Sequence, residues 1–211
     1  MDISWFGQSY FKLKGKSASV VMDPFDPEFV GLKKVKQNAD IVTISHPHQD
    51  HNNVEMIEGE PFVIRGAGEY EVKGVRIQGI QTFHDTKQGK DRGINTMFVM
   101  DIDGIVVCHC GDLGHELTDA QLEELPDIDV LLIPVGGIYT IDPAGASKVI
   151  AQVEPKVVIP MHYKVPGLKI ELGTLDEFLH AYGKGSVTPV NKYSITKDKL
   201  PENEEIVVLE M

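Results

Sequence analysis

Residues 46–51 read HPHQDH, three histidines and an aspartate within six positions, directly after the apolar, β-branched run IVTIS. Imidazole and carboxylate are both metal ligands. Together they suit zinc, manganese or iron, and the ligand types alone do not choose among these ions. In an extended chain residues i and i+2 point to the same side, so His46 and His48 can grip one ion together. The chain then turns, and Asp50 and His51 can project toward a second ion nearby. Two ions about 3.5–4 Å apart can hold a hydroxide between them and stabilise a leaving oxygen. One cluster has too few ligands for two ions. His84 in IQTFHDT, Asp112 in CHCGDLG and His162 in VIPMHY complete the count. Each falls at the end of an expected strand, where α/β sheets place ligand-binding groups.

Those strands have to come from the rest of the chain. DISWF, SYFKLKG and ASVVMD are β-rich and separated by Gly or Ser, and VVMDPFDP stops pairing at Asp and Pro. ADIVTIS is a buried strand by its apolar run. PFVIRG, EYEVKGVRIQGIQTF, INTMFVMDID and GIVVCHCGD then read as a β-meander, with DIDG as a hairpin turn. From there strands and helices alternate. Thr118 and Gln121 form a capping box that opens a helix at LTDAQLEEL, and Thr174 and Glu177 form another at TLDEFLHAYG. Asp142 and Pro143 are an N-cap and first residue for DPAGASKVIAQV. IDVLLIPV and PKVVIPMHY are apolar strands, EEIVVLE closes as a strand, and YKVPGLKIELG reads as a surface loop. The pattern predicts a mixed α/β sandwich over residues 1–211 as one domain, sheets inside and helices outside.

Composition narrows the function classes. With 20 basic and 32 acidic residues the net charge is −12, which argues against a sequence-independent nucleic-acid or anionic-membrane surface. No stretch approaches the roughly 18 apolar residues of a membrane span. The first sixteen residues carry no apolar signal region, and the two cysteines, Cys108 and Cys110, make no disulfide framework. These features predict a cytoplasmic protein with a small-molecule substrate. A homo-oligomer stays open.

HPHQDH matches the H-x-H-x-D-H signature of the metallo-β-lactamase fold superfamily, and the chain resembles that superfamily over five motifs in its order. Asp23 ends an early strand in VVMDP, the His cluster follows, and His84 precedes two strands. Asp112 lies in a GD motif, and His162 matches the last histidine. Within it, the loop LLIPVGGIYTIDPAGA and the motif VIPMHY are most similar to the short hydrolases related to L-ascorbate-6-phosphate lactonase and N-acyl phosphatidylethanolamine phospholipase D. The loop is shorter here than in the lactonase. The resemblance implies an αββα four-layer sandwich of two mixed β-sheets flanked by helices. It implies one metal on His46, His48 and His84, and a second on Asp50, His51 and His162. Asp112 would bridge them, and Asp23 would orient a ligand histidine by hydrogen bond. The implied cofactor is two divalent ions, zinc foremost, with manganese or iron as options.

Such a centre makes a metal-dependent hydrolase of an ester, lactone or phosphodiester the leading expectation, with Asp50 and Asp112 as catalytic residues that relay protons. A nuclease-type phosphodiesterase of the same fold and a non-catalytic metal-binding member are the alternatives. Diiron flavoproteins of the superfamily show H-x-E-x-D in the first motif, whereas His48 occupies that slot here. His115, Tyr139 and Tyr163 are candidates for the substrate pocket, and Lys164 for meeting an anionic group. His109 and His180 are expected to be structural.

Overall fold

Apolar residues arrive in unbroken β-branched runs or in alternation, so strands dominate the computed structural model, which describes residues 1–211. The first half supplies β1 (Asp2–Trp5), β2 (Phe11–Lys14), β3 (Ser19–Met22), β4 (Gln37–Asn38), β5 (Ile41–Ile44), β6 (Ile57–Glu58), β7 (Phe62–Arg65), β8 (Gly68–Val72), β9 (Val75–Phe83) and β10 (Ile94–Ile102). The second supplies β11 (Ile105–His109), β12 (Val130–Pro134), β13 (Val157–Met161), β14 (Tyr193–Ser194) and β15 (Glu205–Ile206). The helices are α1 (Pro27–Val30), α2 (Asp119–Glu123), α3 (Pro143–Val153) and α4 (Leu175–Ala181).

Two large sheets result. One has the order β14-β1-β2-β3-β5-β7, the other β15-β13-β12-β11-β10-β9-β8, and β4 and β6 form a separate ribbon. Both are mixed. In the first, β1, β2 and β3 are antiparallel and β3, β5 and β7 parallel. In the second, β8 to β11 form an antiparallel meander and β11, β12, β13 and β15 run parallel. The facing sides share a core of 45 buried residues that includes Phe11, Leu13, Phe98 and Leu132. Such a core is packed at crystal-like density and holds the two sheets at a fixed separation.

The outer layers are unequal. Over the second sheet α3 and α4 pack together. Over the first, nine buried residues, among them Tyr10, Phe25 and Met56, are covered by α1, a short 3₁₀ turn and the loop carrying Leu168 and Ile170. The physical reason is local: α1 begins at Pro27 and is stopped after four residues by Gly31 in the left-handed conformation.

Local signals in the sequence are realised closely. Both capping boxes form, and Asp142 accepts a hydrogen bond from the Gly145 N–H. Asp103 and Gly104 both adopt positive φ, the turn that joins β10 to β11. Long-range pairing departs from expectation in two places. PFVIRG does not begin the meander. It forms β7, parallel to β5 in the first sheet, and the chain changes sheets at Gly66–Ala67. The closing strand is short, because β15 pairs with β13 only at two positions before the end of the chain turns to bridge Val190 with Leu209. No helix is long and apolar enough to cross a membrane.

The sheet change sets a tight constraint. It passes over the middle of β9, where a Cβ on Gly79 would lie 2.6 Å from the Gly66 carbonyl oxygen and 3.0 Å from the Ala67 Cα. Both obstacles are backbone. Gly79→Ala is therefore expected to destabilise the protein by about 1–3 kcal/mol, read as a lower midpoint in urea unfolding. A midpoint equal to that of the native chain would show that the crossing can move aside.

Candidate metal centre

The ligand-type residues leave the two sheets at one edge. His46, His48, Asp50 and His51 follow β5, His84 follows β9, Asp112 follows β11 and His162 follows β13. Three bonds join the sheets beneath them. The Thr96 N–H donates to the Ser45 carbonyl at 2.9 Å and the His162 N–H to the Gln8 carbonyl at 3.2 Å. His109 Nε2 donates to the Ser9 carbonyl at 2.9 Å. The backbone is strained here. Gln8, Asp23 and His162 are buried non-glycine residues with φ of 50°, 46° and 51°. Each costs roughly 1–3 kcal/mol and persists only where its surroundings over-determine it. The glycines flanking Asp112 permit close approach. A Cβ on Gly111 would collide with Asn95 and Ser45, and one on Gly114 with the backbone of His84 and Asp85.

The residues converge into two groups that can hold an ion. His46, His48 and His84 form one, and Asp50, His51, Asp112 and His162 the other, while a third close set, Asp23, His46 and His51, overlaps both. Asp112 lies between them. Its Oδ2 is 3.1 Å from His84 Nε2, 3.3 Å from His51 Nε2, 3.4 Å from His162 Nε2 and 3.9 Å from His46 Nε2. One carboxylate oxygen thus contacts imidazoles of both groups. Among the atoms turned inward, His46 Nε2, His51 Nε2 and Asp112 Oδ1 are buried with no hydrogen-bond partner. Buried polar atoms are rarely left so, and a bound cation is one way to satisfy them. The donor set fits divalent metal.

Asp23 fixes the imidazoles. It is fully buried, and its Oδ1 accepts from the Ser45 N–H at 2.8 Å. Its Oδ2 accepts from Ser45 Oγ at 2.5 Å and from His51 Nδ1 at 2.9 Å. Since the Ser45 hydroxyl proton goes to Asp23, Ser45 Oγ accepts from His46 Nδ1 at 2.9 Å. Both rings therefore carry a proton on Nδ1 and turn Nε2 toward the centre, the nitrogen a metal would take. Asn95 does the same for Asp112 at the backbone. Its Oδ1 accepts from the Asp112 N–H at 2.9 Å, while its Nδ2 donates to Thr82 Oγ1 and the Cys110 carbonyl. Gln8 Nε2 reaches Asp50 Oδ2 at 3.5 Å.

Electrostatics favour bound cation. Burial, with His51 next to it, drives the His46 pKa down to about 3. Burial also lowers the pKa of His48 and His162. These rings are neutral and available as ligands at neutral pH. For His51 burial opposes charge, but the carboxylates of Asp112, Asp50 and Asp23 outweigh it and hold its pKa well above the usual range. For Asp112 burial is likewise outweighed, by His162 and His51, and its pKa is well below the usual carboxylate range.

The remaining sequence candidates fall differently. Tyr139 lines the cavity beside the cluster, with His48, Asp50, His84 and His162. His115 does not. Its Nε2 accepts from the Phe83 N–H at 3.1 Å and its Nδ1 meets the Glu116 carbonyl at 2.6 Å, so both nitrogens are used by backbone. Tyr163 is buried against Trp5, ring centroids 5.1 Å apart, and is not among the cavity-lining residues. Lys164 is exposed and also lies outside that wall. His109 is buried in β11, as expected. Ser45, Asn95, Gln8 and Arg92 were not singled out by sequence reasoning. Only the position of Ser45, beside His46, offered a signal.

Comparison with known proteins gives the family. A family described as "Beta-lactamase superfamily domain" matches residues 2–162. A "UPF0173 metal-dependent hydrolase" of Archaeoglobus fulgidus is 30% identical over 194 residues, covering 77% of this chain and 83% of its own. Another of that description, from Methanoculleus marisnigri, is 31% identical with coverage of 77% and 81%. A crystal structure from Thermotoga maritima, described as "a putative zn-dependent hydrolase of the metallo-beta-lactamase superfamily", superposes with a TM-score of 0.81 at 42% identity. It covers 99% of this chain and 97% of that one. The chain belongs to the metallo-β-lactamase superfamily and, within it, to the UPF0173 metal-dependent hydrolases.

The Ser45 hydroxyl links Asp23 to His46 without itself facing the pocket centre. Ser45→Ala is expected to weaken divalent metal binding by about 10–100-fold, measured by competition with a chromophoric chelator, while far-ultraviolet circular dichroism stays that of the native fold. An unchanged affinity would remove Ser45 from the ligand-orienting chain.

Proposed function

We propose that this hydrolase works with two zinc ions on a small-molecule ester, lactone or phosphodiester. His46, His48 and His84 hold one ion, Asp50, His51 and His162 hold the other, and Asp112 bridges them. The observation that carries the reading is Asp112 Oδ2, set within 3.1–3.9 Å of four imidazole Nε2 atoms drawn from both groups. A single-ion site would not need one carboxylate shared so widely. Manganese or iron would suit the same donors, and zinc is preferred because imidazole dominates the set. Zinc is also the metal in the assignment of the Thermotoga maritima relative.

When bound, divalent ions supply an acidified water and positive charge against which an oxyanion can form. The chain's own residues do the rest. Asp23 keeps the protons of His46 and His51 on Nδ1 throughout. Asp50 has its Oδ2 beside His51 and Gln8, and its side chain is 13% exposed on the cavity side. Asp50 would be the carboxylate that takes a proton from the attacking water and passes it to the leaving group. Burial opposes ionisation of Asp50, but His51 outweighs it and holds the pKa well below the usual range, so the group accepts protons only in passing. Asp112, bridging, is the second carboxylate able to share that proton.

The resemblance to the lactonase and phospholipase D branch rests on the loop at residues 131–146 and on VIPMHY. It supports a short hydrolase of that general kind with its own substrate. The two cysteines are free and buried, which suits a reducing, cytoplasmic setting.

The test is elemental analysis of the purified full chain, followed by assay of lactone, aryl ester and phosphodiester substrates. Two metal equivalents per chain are expected. Chelation should abolish turnover and zinc restore it, and Asp112→Asn should lower turnover by about a hundredfold or more. One equivalent per chain at saturation, or full turnover after complete metal removal, would sink the dinuclear reading.

A further inference from the structure

The cavity that exposes the ligand cluster, about 700 Å³, has a second chemical feature in its wall, Arg92. Nothing in the metal chemistry requires a guanidinium there, yet the fold holds it in place by three independent means. Its backbone is fixed by Asp85. That carboxylate accepts from the N–H groups of Lys87 and Gly89 on Oδ1, and of Asp91 and Arg92 on Oδ2, at 2.7–3.0 Å. Its guanidinium lies over the Tyr139 ring, 4.8 Å from the centroid. It also donates to the Ile138 carbonyl at 3.5 Å. Ile138 itself is a β-branched residue at φ 60°, an unfavourable conformation held beside the cavity.

Arg92 forms no ion pair; its guanidinium contacts only the Ile138 carbonyl and the Tyr139 ring, so no carboxylate of the chain occupies it. The cavity wall holds one more cation, Lys169, whose ammonium donates to the Glu28 carbonyl and pairs with no carboxylate. Glu171 is the acid in that wall outside the ligand set. Stacking on an aromatic ring orients a guanidinium while leaving N–H donors free for a planar or tetrahedral oxyanion. Phe29 and Ile170, in the same wall, give an apolar surface for the body of such a molecule.

We infer that Arg92 is a specificity residue that binds an oxyanion on the substrate, a carboxylate or a phosphate, set apart from the bond that is hydrolysed. This rests on the hydrolase reading above and narrows its substrate class to anionic molecules. The group is bound and not transformed, so no bond to it forms or breaks.

The test compares 4-nitrophenyl butyrate with mono-(4-nitrophenyl) glutarate, a neutral and an anionic ester of the same leaving group, on the zinc-loaded full chain. The native protein should prefer the anionic ester in kcat/KM. Arg92→Gln should reduce the anionic-to-neutral ratio about tenfold, mainly through KM, and Arg92→Lys should restore part of it. Lys90→Gln makes the same change of charge in the same loop, at an exposed side chain outside the cavity wall, and should leave the ratio as it was. A ratio near one in the native protein, or an equal fall in Lys90→Gln, overturns the proposal. Glutarate and glycerol 2-phosphate as inhibitors tell carboxylate from phosphate, and whichever binds should lose potency in Arg92→Gln. Should zinc-loaded protein cleave neither ester, the hydrolase reading is what suffers. The metal-free chain then decides on Arg92: the same anions should raise the melting temperature of native protein but not of Arg92→Gln, and equal shifts reject the site.

Discussion

Asp23 is an ionised carboxylate with no exposed surface, and removing such a group from water costs several kcal/mol unless its lone pairs are used. Here they are used in a way that organises the centre. One oxygen takes the Ser45 N–H. The other takes the Ser45 hydroxyl and the His51 ring. Its own N–H continues the β3–β5 ladder by donating to Thr43. The residue thus ties the end of β3 to the end of β5 and sets the proton position on His46 and His51, which belong to different ion-holding groups. Without it those rings could rotate or change tautomer, and Nε2 would no longer be held toward the centre. The strained backbone at Asp23 is consistent with this: the left-handed turn is what brings a carboxylate under the cluster instead of letting β3 run on.

The second constraint is that neither sheet carries the centre alone. The first sheet supplies His46, His48, Asp50 and His51, and the second supplies His84, Asp112 and His162. Their mutual distances are then set by how the sheets pack. The 45-residue core fixes the spacing broadly, and the bonds from Thr96 to Ser45, His162 to Gln8 and His109 to Ser9 fix it locally. A constellation built on strand ends and held by a dense interior is rigid enough for metal geometry, which tolerates little looseness.

This division explains what could be read from the sequence and what could not. HPHQDH was legible because its geometry is local: a strand, an i,i+2 pair and a turn. The capping boxes at Thr118 and Thr174 and the Asp103–Gly104 turn were legible for the same reason. His84, Asp112 and His162 were reachable only through their order along the chain, since each is an ordinary turn or core residue by itself. The placement of β7 was not legible, because Phe62–Arg65 has the pattern of a strand in either sheet and the choice is made by its parallel pairing with β5. Asn95 and Gln8 were invisible because their roles are hydrogen bonds across 17 and 42 positions of chain. His115 and Tyr163 could not be told apart from Tyr139 in the sequence, for the converse reason. They sit near the right motifs, but one ring is taken up by backbone and the other is packed into the core against Trp5.

The same reasoning separates the chemistry of the protein from its choice of substrate. The groups that can hold metal stand at strand ends under the control of the core, so they follow from membership in the family. Arg92, Tyr139, Lys169 and Phe29 lie on connections between elements or, for Phe29, on a four-residue helix. Such segments vary without disturbing the sheets, and folds of this kind diversify through them. Their constraints come from one another: Asp85 holds the loop, the loop holds Arg92, and Arg92 is steadied by Tyr139. A change in any of these alters what enters the cavity while the imidazoles stay where Asp23 and Asp112 keep them. Specificity in this chain can therefore drift independently of catalysis, and similarity in the His and Asp motifs says little about substrate.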